Sequence, residues 1–342
     1  MADESVKPSK PETAVPDSDP DELVAMAKRT WRPLKTFCLF SGGGDSTVLA
    51  HRCRDHYDEL LYIDTGTAIP TSREPEIGGV EDHVRAVAAS LGKQVTIRRS
   101  GDAYRTLVLG DELWWRRFRV AAGRRPGLTI EDWIAEERRA GRTATRTYGK
   151  PPWGFPGPGY HGRAYAELKE RRIADVLRET KAGHPRTATV LFLSGLRRGE
   201  SWRRAKREAL TGRRSAKFCA PLIDWSAGQM AEYRERFELP TSDVAAFLHR
   251  SGECNCGAFA RAEEERELMR TFWPQWWAET IEALEAEAEA AGVRWCRWGG
   301  FDVEGVHATG SEKLRPGSLC SRCENLEGGT PRVAEPDGGP DA

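Results

Sequence analysis

The stretch Phe37-Cys38-Leu39-Phe40-Ser41-Gly42-Gly43-Gly44-Asp45-Ser46-Thr47 (FCLFSGGGDST) decides the fold. An apolar run, read as a buried strand over Thr36 to Phe40, stops in three glycines. An aspartate and two hydroxyls follow, and a helix is expected from about Asp45 to Arg54. A strand that feeds a glycine loop into a helix N-terminus makes an anion site. Bare glycines let backbone N–H groups approach phosphate oxygens, and the helix dipole favours negative charge. No Gly-Lys-Ser/Thr follows, so this is not a Walker A loop, and it does not fit G-x-G-x-x-G. Taken alone, a glycine run also serves as a tight turn between strand and helix.

Working outward, Glu59 to Ile63 (ELLYI) reads as a second strand ending in Asp64-Thr65-Gly66. Val80 to Leu91 has helical spacing, and Gln94 to Arg98 is a third strand. Residues 110–160 break the rhythm with Trp114, Trp115, Trp133, Trp153, ten basic residues in 111–160, and the loop PPWGFPGPG. This reads as an inserted lid of short helices whose tryptophans pack on the core. Nucleic-acid contact through stacking and phosphate binding is the second reading. Tyr160 to Lys181 is then a helix, Ala188 to Leu193 a fourth strand, and Phe218 to Ile223 a short fifth. A helix over Ser226 to Phe237 has Ser226 as N-cap, and a long helix over about Ala258 to Ala291 is breakable at Pro274. Alternating strands and helices predict an α/β fold with a parallel, doubly wound sheet. Ligands of such sheets sit at the carboxyl ends of the strands, where both the glycine loop and Asp64-Thr65-Gly66 fall.

The 342 residues suffice for one large domain or two modest ones. Lys plus Arg and Asp plus Glu balance at 52 each, so net charge points to no polyanion and no membrane surface. Local charge says more. Arg197 to Arg214 carries eight basic residues against two acidic ones. Arg261 to Glu289 carries nine glutamates against three arginines and reads as a solvated helix face. Residues 1–22 are polar and proline-rich, without the apolar core of a signal peptide, and predict a disordered lead-in. Residues 327–342 predict a similar tail. The body divides into a nucleotide-binding unit over 23–250 and a cysteine-rich helical region over 251–326. A cytoplasmic protein is expected.

Ser41-Gly42-Gly43-Gly44-Asp45-Ser46 matches S-G-G-x-D-S and resembles the PP-loop of the ATP pyrophosphatase superfamily, which includes the phosphoadenosine phosphosulfate (PAPS) reductases. The resemblance runs from about Leu34 to Gly257 and is close to actinobacterial and phage members at SGECNCGAFA. It implies an adenine-nucleotide alpha-hydrolase-like sheet. Ser41, Gly42, Gly43, Gly44 and Ser46 would cradle phosphate, and Asp45 would help place Mg²⁺. Asp64, Thr65 and Gly66 would lie near the nucleotide. SGLRRGESWRRAKR resembles the Gly-Ile-Arg-x-x-Glu-Ser-x-x-Arg segment of the same proteins. It brings in Gly195, Arg197, Arg198, Ser201, Arg203 and Arg204 for phosphate or sulfate, with Glu200 as their orienting partner or as a capping carboxylate. Asp45, Ser46, Arg197 and Arg198 are the expected catalytic residues.

There are eight cysteines: Cys38, Cys53, Cys219, Cys254, Cys256, Cys296, Cys320 and Cys323. Cys38 and Cys53 read as core, and so does Cys296, with a metal ligand as its alternative reading. Cys254-Asn255-Cys256 and Cys320-Ser321-Arg322-Cys323, with 63 residues between them, offer four thiolates. That suits a 4Fe–4S cluster or Zn²⁺, with unligated redox thiols as the third option. Sulfonucleotide reductases carry a similar pattern but a vicinal first pair, and some DNA phosphorothioation enzymes of the superfamily also bind a cluster. The reductases' C-terminal Glu-Cys-Gly-Leu-His is absent, since neither Cys320 nor Cys323 is followed by Gly-Leu-His. His161 and His249 read as structural. The resemblance implies an enzyme that binds ATP and Mg²⁺, cleaves at the α-phosphate and activates an acceptor for sulfur transfer, with a sulfur-donor protein and a nucleic-acid substrate as partners. The alternatives are a PAPS or adenosine phosphosulfate reductase, and a nucleotide-binding subunit without turnover.

Overall fold

In the computed structural model, which describes residues 19–70, 78–200, 204–248, 250–260 and 262–299, the chain enters through α1 (Pro20–Trp31). The helix therefore begins inside the segment expected to be a lead-in. The start signal is local: the Asp19 carboxylate accepts from Asp21 N, Pro20 occupies the first turn, and Leu23, Val24 and Ala27 are buried. The polar composition around it masks that signal.

After α1 come β1 (Thr36–Leu39), α2 (Gly44–Arg52), β2 (Glu59–Asp64), α3 (Val80–Ser90) and β3 (Gln94–Arg99). An inserted group of helices follows: α4 (Ala103–Leu109), α5 (Glu112–Arg124), α6 (Ile130–Arg139) and α7 (Thr145–Tyr148). Then α8 (His161–Tyr165) runs through a π turn (Ala166–Glu170) into α9 (Arg171–Thr180), in place of the uniform helix expected over Tyr160 to Lys181. β4 (Val190–Leu193), β5 (Leu210–Arg213) and β6 (Ala216–Cys219) complete a six-stranded sheet in the order β3-β2-β1-β4-β6-β5. All pairings are parallel except β5 with β6. The fold is thus α/β with a mostly parallel sheet and one antiparallel edge.

Two details of that edge differ from the sequence reading. The strand expected over Phe218 to Ile223 stops at Cys219, because Pro221 has no N–H for the ladder and Ile223 N donates to Ala220 O in a turn. β5 was not anticipated; three of its four residues are exposed, so no hydrophobic alternation marks it.

Period-two alternation explains why both faces of the sheet are covered. Phe37, Leu61, Ile63, Val190 and Phe192 pack with Ile173 and Val176 of α9. Cys38, Phe40, Leu60, Tyr62, Leu191 and Leu193 face the other way, into a core shared with α2 and α3. The chain leaves β1 toward β2 and β3, then returns to β4 on the opposite side. The strand order therefore reverses between β1 and β4, which opens a crevice at their carboxyl ends.

The insertion holds its aromatics inside itself and against the C-terminal region. Trp114 is buried and stacks on Phe118 at 5.3 Å, and Phe155 N donates to Trp295 O at 2.8 Å. After α10 (Ala227–Arg236), capped by Ser226 as expected, and α11 (Asp243–Leu248), the cysteine segment leads to α12 (Ala262–Phe272). The predicted long helix is broken at Pro274, since the residue before a proline is pushed out of the helical region. It resumes as α13 (Pro274–Trp276), a π turn (Trp277–Glu282) and α14 (Ala283–Ala290). The glutamate-rich face is not all solvated, because Glu285 is buried and paired with Arg266. None of the described helices is long and apolar enough to cross a membrane.

Candidate anion-binding active site

The glycine loop folds as a cradle. Gly42 has φ +76°, in the left-handed region that only glycine enters freely. Gly43 is the N-cap of α2 and offers no side-chain oxygen, so the first N–H groups of the helix are left to a ligand. Serines staple the loop from inside. The Ser46 hydroxyl donates to Gly43 O at 2.8 Å and accepts from Ser41 N at 3.2 Å and Ser41 Oγ at 3.1 Å. Ser41 and Ser46, predicted to touch phosphate, thus hold the shape of the loop.

The end of β4 closes the other side of the crevice. A Cβ on Gly195 would stand a tight 3.3 Å from Asp45 O, so this strand end lies close against the loop. Arg197 reaches under it, 1 % exposed. Its Nε donates to Asp45 Oδ2 at 2.8 Å and Nη1 to Trp225 O at 3.4 Å, while Nη2 is buried without a partner. A buried guanidinium N–H with nothing to bond is costly.

The remaining predicted residues divide. Arg204 pairs with Glu200, as predicted for that carboxylate, and burial pushes the Arg204 guanidinium below its usual value while Asp45 opposes the shift. Arg198 is committed elsewhere: it pairs with Asp224, and its Nε donates to Arg207 O at 3.0 Å. Ser201 and Arg203 lie outside the described residues. Two residues to which the sequence reading gave no role border the loop. Arg234 of α10 lies against Gly44, and Ser251 lies against Gly43. Neither carries a local signal, since both arrive from elements about 190 to 210 residues downstream.

The end of β2 does structural work. Asp64 Oδ1 accepts from Gly66 N at 2.8 Å, closing its own turn. The Thr65 hydroxyl donates to Glu253 O at 2.7 Å, and Thr67 Oγ1 accepts from Asn255 N at 2.9 Å. Asn255 is fully buried. Its Nδ2 reaches Thr67 O and Gly252 O, and its carbonyl accepts from the Trp298 indole at 2.7 Å. The cysteine segment is therefore locked onto the strand end beside the crevice.

Cys254 and Cys256 lie together. A hydrogen bond from Cys256 brings the Cys254 thiol down to about 6; burial opposes this, and the Lys169 ammonium supports it. Cys256 is pushed well up by the same contact and by burial. Lys169 sits in the π turn of the helix, paired with Glu253. Two thiols cannot hold a cluster that needs four, and no group of three or more metal-ligating side chains occurs among the described residues. Cys320 and Cys323 lie outside them, as does His249. Cys38 and Cys53 are buried as expected, while Cys296 is only half-buried.

No protein-family model matches this sequence, and no curated protein matches it. Among solved structures, it is similar to the phosphoadenylyl-sulfate (PAPS) reductase of Candida auris in a phosphate complex. That likeness has 15% identity and a TM-score of 0.37, covering 67% of this chain and 84% of that one. It is similar to the U34-tRNA thiolase NcsA of Methanococcus maripaludis with its [4Fe-4S] cluster, at 13% identity, a TM-score of 0.32, and 79% and 78% coverage. It is also similar to the NH3-dependent NAD synthetase of Campylobacter jejuni, at 13% identity, a TM-score of 0.29, and 80% and 94% coverage. At these values the reading of the site rests on its own geometry.

Proposed function

We propose that the chain is a PP-loop enzyme that binds ATP in the crevice between β1 and β4 and cleaves it between the α- and β-phosphates. One observation carries this reading: Arg197, buried and with an unpartnered N–H, is held by the Asp45 carboxylate in the first turn of α2, whose N-cap Gly43 offers no side chain, at the strand-order reversal. Helix amides and a guanidinium fork suit a polyphosphate, whose oxygens accept from both. An oxygen of the acceptor attacks the α-phosphorus, the bond to the bridging oxygen breaks, and pyrophosphate leaves into the cradle with its added charge met by N–H groups. Mg²⁺, when bound to the polyphosphate, offsets its charge; Asp45 is the carboxylate of the loop that would hold it. Sulfur from a donor then attacks the adenylated acceptor, the acceptor's bond to the phosphate oxygen breaks, and AMP leaves.

A second reading has its own observation. Cys254 follows Glu253, whose carbonyl accepts from the Thr65 hydroxyl and whose carboxylate pairs with Lys169, so a Cys254 thiol not taken up by a metal would stand beside the β2 end and suit thiol chemistry on a sulfonucleotide. One assay separates the two: pyrophosphate release from ATP is expected, and sulfite release from PAPS with no pyrophosphate would replace the first reading by the second. Cys320 and Cys323 would complete a four-thiolate site with Cys254 and Cys256. Anaerobically purified protein is expected to be brown and to contain iron, whereas colourless protein with one zinc per chain would assign zinc.

A further inference from the structure

α10 supplies a residue that neither the glycine loop nor the β4 end announces. The guanidinium of Arg234 lies across Gly44, the first residue of α2: a Cβ there would meet Nη1 at 3.0 Å and Cζ at 3.4 Å. This places a cation at the positive end of a helix, where the dipole repels it. The other arginines of the crevice are neutralised, Arg197 by Asp45 and Arg204 by Glu200. Arg234 forms no ion pair among the described residues. Nη2 donates to the Thr241 hydroxyl at 2.5 Å, and Nε is buried without a partner. An unneutralised guanidinium with an unsatisfied buried N–H, held against uncapped helix amides, is unfavourable until an anion joins it.

We infer that Arg234 is a phosphate-binding residue of this site, aimed by Thr241, and that it contacts the pyrophosphate portion of the nucleotide. The inference rests on the nucleotide reading of the loop. It makes α10 a third wall of the cradle, alongside the loop and the end of β4. Thr241, two residues before α11, fixes the guanidinium from outside the helix that carries it.

The test is calorimetric titration of the full chain with inorganic pyrophosphate, ATP and AMP. Arg234→Gln is expected to weaken pyrophosphate and ATP by about tenfold or more, the scale of one lost charge-assisted contact, and AMP by much less. Arg234→Lys should recover part of the loss, and Thr241→Val should show a smaller loss in the same order. A purely structural role would weaken all three ligands together with the melting temperature, and that outcome overturns the inference. So does a folded Arg234→Gln variant that binds pyrophosphate like the wild type, which leaves the loop reading intact. A wild-type chain that binds neither pyrophosphate nor ATP removes the loop reading itself. Should Arg234→Gln not fold, Thr241→Val decides, and unchanged pyrophosphate affinity there refutes the role.

Discussion

Asp45 serves two neighbours at once. Its carboxylate holds Arg197, and its position in the first turn of α2 places it where the helix dipole favours an anion. Asp45→Asn keeps the shape and removes the charge. Turnover is expected to fall by about a hundredfold or more, because the guanidinium loses its orientation toward the crevice. The stability cost should stay near 1–2 kcal/mol, below the usual penalty for a broken buried pair, since water reaches the Asp45 side chain. Pyrophosphate-release rates and thermal melts on the same samples check both numbers, and wild-type turnover would discard the site. Ser46→Ala tests the staple instead. It removes three hydrogen bonds inside the loop, so it should lower stability by about 1–3 kcal/mol and reduce turnover through a slack cradle. A variant as stable as the wild type would show that the staple is dispensable.

At the level of elements, the C-terminal helices are fastened to the cysteine segment by a buried clasp. Arg266 Nη2 donates to both Glu285 oxygens at 2.6 Å, Glu285 Oε1 accepts from Trp298 N at 2.7 Å, and the Trp298 indole reaches Asn255 O. Arg266→Met leaves the buried carboxylate only the longer Arg297 contact at 3.5 Å and the Trp298 N–H, and should cost about 2–4 kcal/mol, whereas Arg266→Met with Glu285→Leu should recover part of it. Urea midpoints measure both, and a double variant no better than the single one would deny the pairing. This clasp also shows why part of the molecule was not legible in the sequence. Glu285 sits among nine glutamates, and local charge pattern cannot tell a solvated one from one whose partner lies 19 residues away. The same holds for Arg234, whose contact with Gly44 is made by tertiary packing. Legible features were those with an apolar run, a period or a punctuation mark: the buried strands β1, β2 and β4, the uncapped glycine turn, the Ser226 cap and the break at Pro274.

For the whole molecule, acid should loosen the fold in two stages. His83 packs against Phe40 and beside Gly42, and burial holds its imidazole below the ordinary value of 6.5, with Asp243 opposing. His51, against Tyr233 of α10, is lowered by burial and by the Arg54 charge. A histidine whose pKa is lower folded than unfolded binds more protons in the unfolded chain. Stability is therefore whole above pH 6.5 and declines as pH falls below it. Two carboxylates add a later loss. Asp21, partly opposed by burial, is lowered by Arg52 and His56, and Glu59 is lowered by Lys35 and Thr96 against burial. Each contributes stability that is lost only as pH drops below its ordinary range. The expected melting temperature slopes downward as pH falls from 6.5 and falls more steeply in the carboxylate range. His51 fastens α2 to Tyr233 of α10, and His83 of α3 lies beside Gly42, so the first stage should weaken the glycine cradle before the sheet. His83→Leu, which keeps the volume and removes the titration, should flatten the first slope and leave the second. A wild-type profile level from pH 7 to 5, or a His83→Leu profile as steep as the wild type, would locate the acid sensitivity elsewhere.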